Sequence, residues 1–169
     1  MRHSASATIA FALLLGLIGG GARAQDKDSC DGFKWSVAQE RTAFGGELKR
    51  AASGATIAVG QAYRIALGPG DRVAFAAPPE RAPKAGSFGA ALGLAEIDRP
   101  GLYQITLSDE AWLDVVQGGA ALKSVAFSGQ KNCPGVRKSV RFDLKPGAAT
   151  IQISNSAGAA INLAIEPAP

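Results

Sequence analysis

The chain has 169 residues, with 18 basic and 14 acidic side chains, two cysteines and one histidine. Without Arg2 and Arg23, which lie in an expected leader, 16 basic residues stand against 14 acidic ones, a net charge of +2. So small a surplus gives no support to a nucleic-acid partner. Because His3 also lies in the leader, the remaining chain has no histidine, which excludes a Ser-His-Asp triad and histidine-based iron or zinc sites.

Residues 1–24 have the pattern of a secretory signal peptide. Arg2 supplies the positive start, residues 9–18 are continuously apolar, and Ala22-Arg23-Ala24 has the small-residue cleavage pattern. The apolar run is shorter than the roughly 20 residues that span a bilayer, although an uncleaved anchor remains the alternative. We therefore expect cleavage after Ala24, a mature chain of residues 25–169 with no transmembrane segment, and a periplasmic or secreted location.

The mature sequence alternates apolar and polar residues in short runs separated by turn signals, which is typical of β-strands. Between them, residues 40–52 have room for one or two helical turns, interrupted by Gly45 and Gly46. The pattern predicts an all-β protein with a single β-sandwich or jelly-roll-like domain over residues 25–169. The predicted strands include residues 33–37, 57–59, 63–67, 73–75, 102–107, 112–116, 122–127, 136–144, 151–153 and 161–165.

Cys30 and Cys133 both follow the predicted leader, so they reach an oxidising compartment where pairing is the usual outcome. The alternative is a reactive Cys133 thiolate, because Lys131 and Arg137 are close in sequence and lower a thiol pKa. A cysteine nucleophile generally needs a neighbouring base, most often histidine. We therefore favour a Cys30–Cys133 disulfide.

Residues 77–87 are rich in proline and charge, so they predict a long surface loop and not a central strand. Loops on β scaffolds often bind ligands, which makes Arg81 and Lys84 candidate ligand-binding residues. The alternative is that the segment only connects two strands.

Residues 136–144 predict a basic strand. Alternation places Arg137 and Arg141 together on the solvent face, about 14 Å apart, as a site for an anionic polymer. Alternation directs the side chain of Lys138 toward the core. We therefore expect Lys138 to lie near a strand end, to reach the surface with its ammonium, or to pair with an acid. The alternative is a solvated face on which Arg141 lies near Asp143.

Trp112 and Asp114 share one face of a predicted strand. An exposed aromatic plane beside a carboxylate suits a sugar, so both residues are candidate ligand-binding residues. Core packing of Trp112, with Asp114 at its edge, is the alternative.

Four stretches, DGFKWSVAQER, PPERAPK, YQITLSDEAWLDVVQ and CPGVRKSVRFDL, resemble a small family of secreted proteobacterial proteins. Some members carry the label homogentisate 1,2-dioxygenase, which implies iron held by histidines and a glutamate. No residue after the leader matches those histidines. GLYQITLSDEAWLDVVQGG is more loosely similar to a strand pair in bacterial pre-peptidase C-terminal domains, which are small jelly-roll modules of secreted proteins.

These observations predict a non-catalytic binding module for an envelope component, which is a glycan, an anionic polymer or a protein. We expect no cofactor and no metal. The alternatives are an enzyme, either a carboxylate-based hydrolase or the labelled dioxygenase, and a structural or inhibitory protein partner. The candidate ligand-binding residues are Arg137, Arg141, Trp112, Asp114, Arg81 and Lys84.

Overall fold

The computed structural model describes Met1 and residues 29–169. The expected leader, apart from Met1, and its cleavage site lie outside the described residues. The described part contains one α-helix, α1 (Ala38–Phe44), two short 3-10 turns (Ser29–Gly32 and Gly70–Arg72) and twelve strands. The strands are β1 Lys49–Ala52, β2 Thr56–Ile57, β3 Gln61–Ala66, β4 Gly68–Pro69, β5 Phe88–Ile97, β6 Gly101–Leu107, β7 Trp112–Gln117, β8 Ala120–Ala121, β9 Ala126–Gly129, β10 Lys138–Leu144, β11 Gly147–Ser156 and β12 Ala160–Pro167.

The strands form two packed sheets, so the predicted β-sandwich is confirmed. The first sheet has the order β1-β3-β12-β6-β10-β9. The second has the order β2-β5-β11-β7-β8, with β4 also pairing with β5. Only β1–β3 and β2–β5 pair in parallel among the described strands. In sequence order, β8 and β9 are consecutive, and each is the last strand of its sheet.

Alternation along the longer strands builds the core between the sheets. Ile161, Leu163 and Ile165 of β12 are buried, as are Ile151 and Ile153 of β11. Burial of such side chains contributes about 1.5–3 kcal/mol each relative to exposure. The outward residues of the central strands are largely polar, and some of them are covered by the two segments described below.

Several parts of the strand prediction differ from the structure. Of the predicted run 122–127, only residues 126 and 127 belong to a strand, β9, and residues 49–52 of the expected helical stretch form β1. Residues 33–37 form a bend before α1, and residues 73–75 follow a 3-10 turn as loop. The ten-residue strand β5 was not predicted, because Gly and Ala are poor strand formers. A Cβ on Gly89 would lie 2.5 Å from the carbonyl oxygen of Ile153, so β5 needs glycine there to pack against β11. Residues 77–87 form a loop, as predicted.

The predicted disulfide is confirmed, because Cys30 and Cys133 are bonded with their Cα atoms 4.6 Å apart. Phe33 and Val37 pack with Cys133 and Val136 in a small apolar cluster separate from the main core. The apparent alternation at residues 33–37 therefore reflects packing around the crosslink. No helix in the part of the chain that the structure describes has the length and apolar character needed to cross a membrane.

Removing the crosslink with Cys30→Ser/Cys133→Ser should lower the free energy of unfolding by about 4–5 kcal/mol, because the bond closes a loop of 103 residues. Urea unfolding of the mature protein, followed by tryptophan fluorescence, measures the difference. A loss below about 1 kcal/mol would show that the crosslink hardly constrains the unfolded chain.

Candidate functional site

A cleft of about 450 Å³ opens at one edge of the sandwich, where β7 of the second sheet faces β9 and β10 of the first. Leu113, Val140 and Phe142 supply apolar lining that continues the core. Leu122 and Phe127 line it nearer the β8–β9 link. Its volume falls within the range of ordinary ligand sites. The cleft is therefore a gap between the sheets that the core side chains do not fill.

Phe127 makes the mouth of this cleft apolar. Its side chain is 62% exposed, and that of Val125 just before β9 is 59% exposed. Apart from Met1, these are the exposed large hydrophobic residues of the described chain. The ammonium of Lys34 lies 5.4 Å from the centre of the Phe127 ring. Exposed apolar side chains concentrated at one edge are typical of an interaction site.

Trp112 forms the polar wall of the cleft together with the loop of residues 77–87. The Arg81 guanidinium lies 3.9 Å from the centre of the indole ring, and the Lys138 ammonium lies 4.8 Å from it. The indole Nε1–H donates to Asp114 Oδ1 at 3.1 Å. Trp112 is therefore neither a core residue nor an open plane, because a cation covers its ring.

Asp114 is the most constrained acid of the cleft. It is only 6% exposed, and its Oδ2 has no hydrogen-bond partner among the described residues. Burial raises the pKa of Asp114 above its usual value, while the hydrogen bond from Trp112 acts in the opposite direction. The charge of Glu80 also raises this pKa, and that of Lys138 lowers it.

Lys138 is the first residue of β10 and lies at the edge of the cleft. This position explains how a lysine occupies a site whose side chain points toward the core. Its Nζ donates to the carbonyl oxygen of Ala111 at 3.0 Å. Burial lowers the pKa of Lys138, and the charge of Arg81 acts in the same direction, against that of Glu110. Arg137 forms an ion pair with Glu110 at the rim. The cleft thus has three cations, Arg81, Arg137 and Lys138, and three carboxylates, Glu80, Glu110 and Asp114.

The six predicted ligand-binding residues do not all meet. Arg81, Trp112, Asp114 and Arg137 line the cleft. Lys84 lies in the same loop as Arg81, but its backbone N–H bonds to Asn155 Oδ1, and the residue is not part of the cleft lining.

Arg141 lies on the outer face of the first sheet, away from the cleft. Its guanidinium stacks 4.2 Å from the Trp35 ring and donates to Gln104 Oε1. The expectation that Arg137 and Arg141 form one open basic face is therefore wrong, because each is held by different partners on a different side.

Sequence reasoning missed Glu80, Glu110 and Phe127 as cleft residues. Neither Glu80 nor Glu110 stands out in the sequence, because each becomes a neighbour of the cleft only through folding. Lys138 could have been recognised as a candidate cleft residue, since a lysine at an apolar position of an alternating strand needs a polar partner or a route to the surface.

A buried polar chain joins the N-terminal segment to the outer face of the first sheet. Trp35 Nε1–H donates to Ser139 Oγ at 2.9 Å, and Thr106 Oγ1 lies 3.0 Å from Ser139 Oγ and 3.2 Å from Glu40 Oε1. Each hydroxyl has one proton, and the Glu40 carboxylate can only accept. Trp35 therefore donates to Ser139, Ser139 donates to Thr106, and Thr106 donates to Glu40. Gln104 Nε2 also donates to Glu40 Oε1.

Glu166 lies within electrostatic range of this chain. Burial raises the pKa of Glu166, and the charge of Glu40 raises it further. Glu40 is itself a buried residue of α1, so the two acids do not flank an open cleft of the kind a glycosidase needs. Among the described residues, no group of three or more His, Cys, Asp or Glu side chains could hold a metal ion.

The comparisons with known proteins add little to this geometry. No family model matches the chain, and no curated protein matches it. The chain is similar to the solved pre-peptidase C-terminal domain of the collagenase from Bacillus anthracis, with a TM-score of 0.40 and 11% identity. The match covers 71% of this chain and 99% of that domain. So distant a likeness carries no argument about the cleft, and the fold assignment depends on the strands themselves.

The raised pKa of Asp114 has a consequence for stability. A carboxyl that binds its proton more tightly when folded stabilises the fold below its unfolded pKa, and this stability is lost as pH rises through the folded pKa. Asp114→Asn should therefore make the free energy of unfolding fall less steeply as pH rises above about 4, through the range in which the folded carboxyl loses its proton. Urea unfolding across this range measures the slope. Equal slopes in the two proteins would contradict the assignment.

Glu40→Gln tests the second acidic pair, because it removes the charge of Glu40 and keeps a carbonyl acceptor for Thr106. We expect the pKa of Glu166 to move down and yet stay above its usual value, since burial remains the larger cause. Carbon-13 NMR titration of the Glu166 carboxyl measures this pKa. An unchanged or higher pKa would show that the two carboxylates do not interact.

Proposed function

We propose that this protein is a periplasmic or secreted, non-catalytic binding module whose cleft receives an apolar group of a protein partner in the envelope. The observation that carries the proposal is Phe127, 62% exposed at the mouth of a cleft whose inner lining is apolar. Aromatic side chains that remain exposed beside an apolar cavity are typical anchors of protein interfaces.

The charges of the cleft favour a protein over an anionic polymer. Its three cations face three carboxylates, Arg137 is paired with Glu110, and Lys138 is bound to a backbone carbonyl. A polyanion draws its affinity from cations without acidic neighbours, and this cleft offers a balanced set.

The aromatic residues of the cleft favour a protein over a glycan. Sugars stack on open aromatic planes, whereas the Trp112 ring already contacts Arg81 and Lys138. Phe127 is open, yet the lining beside it consists of buried aliphatic and aromatic side chains such as Val140 and Phe142. Such a lining suits an apolar side chain better than a hydroxyl-rich ring.

A photo-crosslinking residue tests this proposal when it replaces Ser124, an exposed residue that lines the cleft. The matched control replaces Glu47, an exposed residue just before β1 at the other edge of the same sheet. In the native envelope, we expect Ser124 to give a discrete protein adduct, identified by mass spectrometry, that Glu47 does not give.

Adding Phe127→Ser should remove the adduct at position 124, because the mouth of the cleft loses its aromatic anchor. The same adducts at both positions would contradict a specific site. A glycan as the sole adduct at position 124 would contradict a protein partner.

A further inference from the structure

The strand β9 is the free edge beside the cleft. Within the described residues it pairs only with β10, and it ends the first sheet. Gln130 N–H bonds to the carbonyl oxygen of Arg137 where this ladder begins. Because antiparallel strands alternate, the backbone groups of Ala126 and Ser128 then face β10, and those of Phe127 and Gly129 point outward.

The side chains along β9 are sorted between two faces. Phe127 pairs in register with Val140, so a residue added opposite Phe127 points toward the cleft. Ser128 pairs with Ser139 on the outer face, where the backbone N–H of Lys34 bonds to Ser128 Oγ. An added strand therefore meets the apolar cleft on the face of Phe127, and the Lys34 ammonium lies beside that same ring, 5.4 Å from its centre.

The charged side chains of residues 122–131 have one sign. Residues 122–131 contain Lys123 and Lys131 and no acidic residue. Both lysines are exposed, and neither has an ion-pair partner among the described residues. Lys34 adds a third cation beside Phe127. This edge differs from the interior of the cleft, where the charges balance, and it complements an acidic partner.

We propose that β9 binds an extended, acidic polypeptide segment by strand addition. The segment hydrogen-bonds to the outward backbone groups of Phe127 and Gly129 and places an apolar side chain in the cleft. In strand addition the backbone supplies affinity, and alternate side chains supply specificity. The occupant directs apolar residues toward the cleft and carries acidic residues that meet the lysines around the edge, Lys34, Lys123 and Lys131. This inference rests on the proposed function, and it names the partner's chemistry at the same site.

Lysines at an edge strand also have a simpler role, because charge discourages edge-to-edge aggregation. That role explains Lys123 and Lys131, and it gives no reason for the exposed Phe127 beside a cleft. The two explanations differ in one respect. A protected edge rejects every added strand, whereas a docking edge accepts an acidic one.

The probe is a fluorescent heptapeptide that alternates Glu with Val or Phe, titrated against the mature protein by fluorescence anisotropy. We expect saturable binding below about 1 mM. The same peptide with Lys in place of Glu should not bind. No binding of the Glu peptide, or equal binding of the Lys peptide, overturns the inference.

N-methylated peptides test the backbone pairing. One peptide carries N-methyl groups on its odd residues and the other on its even residues, so that only one of them blocks the N–H groups that face β9. We expect one set to abolish binding and the other to preserve it. Equal binding by both peptides would show that the edge of β9 is not used.

The charge is tested on the protein with Lys123→Glu/Lys131→Glu. We expect the dissociation constant for the Glu peptide to rise about tenfold. The matched control is Lys49→Glu/Arg50→Glu on β1, the other edge of the same sheet, and it should change the constant by less than about twofold. Equal effects of the two variants would overturn the inference.

The two proposals fail in different ways. If Ser124 still crosslinks to a protein while the Glu peptide does not bind, the cleft function stands and strand addition is wrong. If neither experiment succeeds, both proposals are wrong.

Discussion

The structure depends on how the space between the two sheets is filled. Along most of the sandwich, side chains such as Ile105, Leu163 and Ile151 meet across the gap and are completely buried. At one edge the second sheet ends in β8, which has two residues, while the first sheet ends in β9, which has four. The sheets therefore leave a gap there, and the apolar lining of the cleft is the continuation of the core into that gap.

The outer faces of the sheets are covered by two different segments, and each is fastened by polar contacts. On the first sheet, the segment before α1 is held by the Cys30–Cys133 bond and by the chain of hydrogen bonds that ends at Glu40. On the second sheet, the loop of residues 77–87 is bonded through Gln152 and Asn155 of β11. This second attachment places Arg81 over Trp112. Neither segment pairs with the free edge of β9 among the described residues.

Strands with clear alternation could be predicted from the sequence. The runs that became β10 and β12 place Val140, Phe142 and Leu144, and Ile161, Leu163 and Ile165, at alternate positions, and all six side chains are buried. The strand β5 could not be found in this way, because Gly89 is required by its close approach to the Ile153 carbonyl oxygen and the glycines and alanines of β5 carry no strand signal. The alternation of residues 33–37 predicted a strand that does not form, because Phe33 and Val37 are buried around the disulfide and not in a sheet.

The candidate site was only partly predictable, because its residues come from separate segments that meet through folding. Arg81, Trp112, Asp114 and Arg137 were found individually, but no sequence pattern joins the loop of residues 77–87 to β7 and β10. Phe127 looked like an ordinary strand residue, since alternation does not reveal that β9 is the last strand of its sheet. The functional account therefore depends on the position of an edge, which the topology supplies.

The central claim is that a protein partner occupies the β9 edge and the cleft beside it. Amide hydrogen exchange of the protein copurified with its native envelope partner tests this claim directly, with the free protein as reference. We expect slower exchange in residues 122–131 and unchanged exchange in β1 at the opposite edge of the same sheet. Slower exchange in β1, with residues 122–131 unchanged, would contradict it.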